Sequence, residues 1–138
     1  MAAIVTNKQV EGCLRDCLRR DGFELTQARG NGETGVDLIA TRGRRQIYIE
    51  VIGFRSQPPA RSRDFFEIFF RAISRLEDGA KEIVFALPAR FGEGLSSRAK
   101  HYGEAWRRIG AAFPELRIWL VNPAEKTYRE TKWSEWLS

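Results

Sequence analysis

Histidine, cysteine and methionine are scarce here: one His, two Cys and one Met in 138 residues. With His101 as the only histidine, no Ser-His-Asp or Cys-His catalytic set can be built without it. It lies between Lys100 and Tyr102 on an expected helix, where a surface role fits. Two cysteines cannot form a disulfide framework. Cys13 and Cys17, four residues apart on one helix face, read as buried thiols. One histidine beside a CxxxC pair also falls short of a structural zinc site. Such cysteine usage fits a reducing compartment and a cytoplasmic location. No apolar run approaches the roughly 18 residues of a membrane span, so no membrane partner is expected. Met1 to Thr6 lacks the basic and apolar regions of a signal peptide. The glycine-rich stretch Gly30 to Gly35 lacks the Lys and Ser/Thr of a phosphate-binding loop, which argues against nucleotide hydrolysis. Repeats and low-complexity tracts are absent, and one domain over residues 1–138 is expected at this length.

Charge is plentiful, and unevenly placed. Lys and Arg number 23 against 18 Asp and Glu. Residues 42 to 63 hold six arginines (Arg42, Arg44, Arg45, Arg55, Arg61, Arg63) and a single acid, Glu50, which accounts for the whole net charge of +5. A concentrated basic segment of this kind suits a polyanion such as nucleic acid. A solvated arginine-rich turn and loop would look the same in sequence.

The order of elements follows from periodicity and punctuation. Thr6 to Gln9 reads as a capping box. It opens a helix with Val10, Cys13, Leu14, Cys17 and Leu18 at helical spacing, closed by Gly22. Phe23 to Leu25 opens a strand. Val36 to Arg42 and Gln46 to Gly53 form two more, joined at Gly43 and Arg44. Phe54 to Arg63, with Pro58 and Pro59, is predicted to be an exposed loop, and Asp64 to cap a helix running to about Asp78. Strands at Glu82 to Leu87 and Leu116 to Val121 flank a helix from Leu95 to Ala112. Lys126 to Ser138 is either an edge strand or a short helix. Trp106, Trp119, Trp133 and Trp136 read as core or interface residues. An exposed C-terminal tryptophan pair would mark a partner or dimer surface. The order αβββαβαβ predicts an α/β fold, a mixed sheet flanked by helices on both faces.

The hairpin carries the chemistry. A turn centred on Gly43 and Arg44 sets Val36, Leu38 and Ala40 opposite Val51, Ile49 and Ile47, an all-apolar face. The other face then pairs Ile39 with Tyr48 and Asp37 with Glu50, two carboxylates roughly 5 Å apart at Cβ. Like charges at that separation require compensation. Arginine partners could supply it, and so could a divalent cation, because hard cations take clustered carboxylate oxygens. Glu11 on the first helix and Glu33 in the glycine loop are further acids within reach of such a site.

Glu11, Gly22-Phe23, the run Gly32-Glu33-Thr34-Gly35-Val36-Asp37-Leu38-Ile39-Ala40 and the run Ile47-Tyr48-Ile49-Glu50-Val51-Ile52-Gly53 together resemble the PD-(D/E)XK nuclease superfamily. That superfamily has the restriction-endonuclease-like fold, and the style here is closest to the branch with the archaeal Holliday-junction resolvases. The resemblance covers about residues 6 to 87. It implies metal-dependent phosphodiester hydrolysis of DNA, with Mg²⁺ (or Mn²⁺) held by Asp37, Glu50 and the carbonyl of Val51, and with Glu11 as an outer or direct ligand. It also implies a lysine two residues after the glutamate, where this chain has Ile52. The missing charge would come from a neighbouring element, with Arg71 and Arg55 the candidates. Guanidinium stays protonated, so either would stabilise charge rather than act as a base. The alternative is an inactive relative acting as a DNA-binding or protein-interaction accessory subunit, as a dimer or beside a partner protein.

Overall fold

The computed structural model of the chain describes residues 4–27 and 36–137. The glycine-rich stretch and Glu33 lie outside them. Thr6 caps helix α1 (Asn7–Arg20) through the reciprocal box with Gln9. Gly22, at φ 89°, ends it: the Phe23 N–H reaches the Leu18 carbonyl and the Gly22 N–H that of Arg19, a Schellman close. Strands β1 (Glu24–Leu25), β2 (Leu38–Arg42) and β3 (Arg45–Val51) follow. The β2–β3 register is the expected one, Leu38 opposite Ile49 and Ala40 opposite Ile47, with Arg42 facing Arg45 across a turn whose Gly43 has φ 62°.

Helix α2 (Pro58–Ile73) continues into a 3₁₀ turn (Ser74–Asp78), and β4 (Ile83–Pro88) lies parallel to β3. Helices α3 (Gly92–Tyr102) and α4 (Glu104–Ala112) lead to β5 (Leu116–Asn122), parallel to β4, and β6 (Thr127–Lys132) closes the sheet antiparallel. The six strands stand in chain order, β1 to β6.

Two expectations need correction. Residues 58–63 are the first turns of α2 rather than loop, and Gln57, not Asp64, is the N-cap. Pro58 and Pro59 occupy the positions where a helix makes no use of the backbone N–H that proline lacks. The helix expected from Leu95 to Ala112 is two, broken at Gly103, whose φ of 46° and ψ of −106° no α-helix accommodates. The C-terminal segment is both of its alternatives in turn, strand β6 and then a 3₁₀ turn (Trp133–Leu137).

Strand alternation divides the core into two layers. Leu38, Ala40, Ile47, Ile49 and Val51 pack under Val10, Leu14 and Leu18 of α1. On the opposite face Ile52, Ile83, Phe85 and Leu87 pack under Phe65, Ile68 and Ala72 of α2 and under Leu95, Ala99 and Trp106. Trp133 and Trp136 complete that layer and are buried, so they present no exposed aromatic tail. The rings of Trp106 and Trp133 stack at 3.8 Å, and each indole N–H donates to the other residue's carbonyl, at 2.9 and 2.7 Å.

Past β3 the chain passes under its own N-terminal segment. Val5 and Phe54 form an antiparallel bridge, and the Gly53 N–H donates to Asn7 Oδ1 at 2.6 Å. A Cβ on Gly53 would stand 2.2 Å from the Val5 carbonyl oxygen, so only glycine permits the crossing. This fixes the carboxyl end of β3, the edge of an open α/β sheet where ligands bind.

Candidate active site

Glu50 is the next-to-last residue of β3 and points toward α2; Asp37 immediately precedes β2. Both are buried, at 1% and 8% exposure. Asp37 stands one residue outside the strand ladder. Its carboxylate oxygen Oδ2 accepts the Val51 N–H at 2.8 Å, fixing it against the end of β3. Nη2 of Arg71, from the last turn of α2, lies 2.8 Å from Asp37 Oδ2, 3.3 Å from Glu50 Oε2 and 3.3 Å from the Val51 carbonyl oxygen. Three oxygens from two strand ends thus converge on one cationic nitrogen. In this structure the two carboxylates are compensated by arginine.

A second guanidinium, not anticipated from sequence, stands behind the first. Arg75 Nε lies 3.7 Å from Glu50 Oε1, is buried and has no hydrogen-bond partner, while its Nη1 reaches Asp78 at 3.0 Å. Its sequence signal was spacing: Arg75, in the 3₁₀ turn that continues α2, follows Arg71 by four residues, about one helical turn. Burial is the main force on Glu50 and pushes its carboxyl up to about 7; the charge and hydrogen bond of Asp37 add to this, and Arg71 pulls the other way. Near neutral pH the Glu50 carboxyl is therefore protonated in part of the population.

The other sequence-nominated residues are distributed as follows. Glu11 accepts from Arg15 Nε at 2.8 Å, and Arg15 in turn reaches the carbonyls of Thr26 and Asp37, so Glu11 is linked to the pair through an arginine. Ile52 lies on the Glu50 side of the strand, 4% exposed, with its side chain in the α2-side core. It also lines a cleft of about 430 Å³ at the end of β3, shared with Arg71, Arg55, Asp64 and Glu67. Arg55 is gripped there by both oxygens of Asp64, at 2.8 and 2.6 Å.

The six arginines of the basic segment do not form one patch. Arg42, Arg44 and Arg45 sit at the hairpin turn, and Arg55, Arg61 and Arg63 beyond the opposite end of β3. The strand itself, roughly 20 Å long, lies between them. Arg45 is bound by Glu82 and Glu130, and Arg42 by the Asp21 carbonyl over the Phe23 ring. Near the cleft, Arg61 and Arg90 each lie over the Phe54 ring, at 4.4 and 4.5 Å, which adds Arg90 to the basic groups at that end.

A family model described as Restriction endonuclease (Mrr_cat) matches residues 3–109. The chain belongs to this restriction endonuclease family. No curated protein and no solved structure gives a significant match. Membership agrees with the mixed six-stranded sheet flanked by helices and identifies the chain as nuclease-like. The match spans α1 to most of α4 and includes the end of β3 with its carboxylates. Restriction endonuclease families of this kind generally use divalent metals. The residues fit such an ion: the donors are two carboxylates and a main-chain carbonyl, the hard oxygen set that Mg²⁺ and Mn²⁺ prefer, and they already face one common point. Among the described residues no cluster of three or more His, Cys, Asp or Glu could hold a metal, so the Val51 carbonyl is needed to complete the set. No helix among them is long and apolar enough to cross a membrane.

Proposed function

We propose that this protein is a metal-dependent endonuclease that hydrolyses phosphodiester bonds in DNA at the carboxyl end of β3. The observation that carries the reading is the convergence of Asp37 Oδ2, Glu50 Oε2 and the Val51 carbonyl on a single cation position. Those three groups would hold Mg²⁺ or Mn²⁺. The ion would supply an activated water and neutralise charge that develops on the phosphate. Asp37, pinned by the Val51 N–H, presents its oxygen without reorganisation. Glu11 acts at one remove, orienting Arg15 against the Asp37 backbone. Arg71 and Arg55, on the cleft wall, supply positive charge to a phosphate where Ile52 supplies none. Arg61, Arg63 and Arg90 form the basic rim through which DNA would be engaged, and the hairpin arginines Arg42, Arg44 and Arg45 make a separate contact further along the sheet.

Two observations favour a second reading. Ile52 is apolar and buried at the place of the superfamily's lysine, and the cation position is held by a guanidinium. On that reading the chain is a DNA-binding or protein-interaction accessory subunit, as a homodimer or with a partner protein, that has lost hydrolysis. The deciding experiment is incubation with Mn²⁺ and labelled duplex, branched or single-stranded DNA, with Asp37→Asn as control. Cleavage that the control abolishes supports the endonuclease. Salt-sensitive binding without cleavage of any substrate overturns it in favour of the accessory subunit.

A further inference from the structure

We propose that Arg71 is a substrate-operated gate on the metal site: it holds the ion-binding oxygens when DNA is absent and leaves them for a DNA phosphate in the adjoining cleft. Metal and substrate would then bind cooperatively. The inference rests on the metal-site reading above and adds its regulation.

Nη2 of Arg71 lies 2.8 to 3.3 Å from the three oxygens, at the point they surround. A divalent ion bound by the same oxygens would sit roughly 2.0–2.6 Å from them, so nitrogen and ion compete for one volume. The guanidinium cannot make way by losing its proton, because it stays charged at any accessible pH. It can make way only by moving.

Glu50 is sealed in, with its side chain 1% exposed, while the Arg71 side chain is 33% exposed on the cleft side. It can swing outward on its flexible stem while α2 stays in place. Its inward position is the favoured one without ligand, since it satisfies two buried carboxylates and a carbonyl. The obvious outward partner is Glu67, one helical turn earlier and on the same cleft, where an exposed pair is worth little. A phosphate changes this balance, because a guanidinium matches its oxygens in bidentate fashion and the incoming ion replaces the lost compensation. Arg75 remains 3.7 Å from Glu50 and keeps one positive charge behind the site in both states.

Coupling of this kind is reciprocal: DNA must tighten metal binding by the factor by which metal tightens DNA binding. The test is a Mn²⁺ titration followed by the spin resonance of the free ion, with and without a short duplex whose own uptake is measured separately. The proteins are wild type, Arg71→Ala, Arg71→Gln and Asp37→Asn. Arg71→Gln keeps a hydrogen-bond donor over the carboxylates without the charge, so it answers the question if the alanine variant fails to fold. We expect both Arg71 variants to bind Mn²⁺ roughly tenfold or more tightly than wild type in the absence of DNA. The duplex should tighten binding by wild type by a larger factor than it tightens binding by either Arg71 variant. Equal affinities in wild type and the Arg71 variants, or a duplex that leaves wild-type affinity unchanged, overturns the gate. If Asp37→Asn still abolishes binding in that case, the metal site stands. Absence of Mn²⁺ binding in every protein, with or without duplex, overturns the metal-site reading together with the gate.

Discussion

Glu50 should make this protein less stable as pH rises toward neutrality, opposite to the usual behaviour of a carboxylate in a salt bridge. Its carboxyl is raised from 4.5 to about 7, chiefly by burial. Folded protein therefore keeps a proton that the unfolded chain releases, and between those two values the folded state binds more protons. Unfolding free energy then falls as pH increases through that window and levels off above about 7. Integrated from about pH 5 to about pH 8, the contribution is about 2–3 kcal/mol. The perturbation is Glu50→Gln, which is neutral at both pH values and leaves Arg71 on Asp37. Urea unfolding of wild type and variant across this range isolates Glu50 together with its coupling to Asp37, since titrations outside the pair are common to both. The variant should gain about 2–3 kcal/mol relative to wild type as pH rises, a relative midpoint shift of roughly 1–2 M urea. Saturating Mn²⁺ should shrink the gain, because the ion stabilises the ionised pair. Stability curves that run parallel from about pH 5 to about pH 8 would refute the assignment of a buried, protonated Glu50.

Ile52→Lys should create or raise Mn²⁺-dependent DNA cleavage at a cost of about 1–3 kcal/mol in stability; a gel assay that shows no rise, or activity surviving Asp37→Asn, contradicts this. Arg61→Ala with Arg63→Ala should lower the slope of log affinity on log salt by roughly 0.9 per lost phosphate contact. An unchanged slope removes the cleft end from the DNA interface. Gly53→Ala should lower Tm, destabilising by about 1–3 kcal/mol, because its Cβ must displace the Val5 backbone. Unchanged melting would mean that the N-terminal crossing contributes nothing.

The hairpin was legible in sequence because two independent signals agreed on it. Gly43 set the turn, and the apolar alternation of Leu38, Ala40, Ile47 and Ile49 set the register; together they fixed which face receives Glu50. Local signals failed where one residue type serves two purposes. Pro58 and Pro59 open a helix as well as they occupy a loop, and the cap that decides between them, Gln57, makes no side-chain hydrogen bond. Gly103 breaks a run whose apolar spacing on either side reads as continuous helix. The sequence left open whether arginine or metal compensates the carboxylates, and the answer depended on where α2 crosses β3. With the N-cap placed seven residues late, Arg71 was nominated for its charge but not as the group that bridges the two carboxylates, and Arg75 was missed. The basic segment misled for a related reason. Linear proximity of six arginines hides the strand that separates them.

The mutual clasp of Trp106 and Trp133 bears on how the molecule is made. Trp133 lies beyond residue 109, where the family match ends, yet it closes the aromatic layer over Phe69 and Phe85 and leaves no room for a Cβ on Gly110. Contacts that join α2 and β4 to residues so much later in the chain are long-range in sequence, and such contacts slow folding. A nascent chain that has displayed both carboxylates, Arg71 and the cleft still lacks the piece that seals the layer behind them. Competence would therefore wait until Trp133 and Trp136 have been made. A fragment ending at residue 109 should expose Trp106 and bind hydrophobic dye, whereas the whole chain should not.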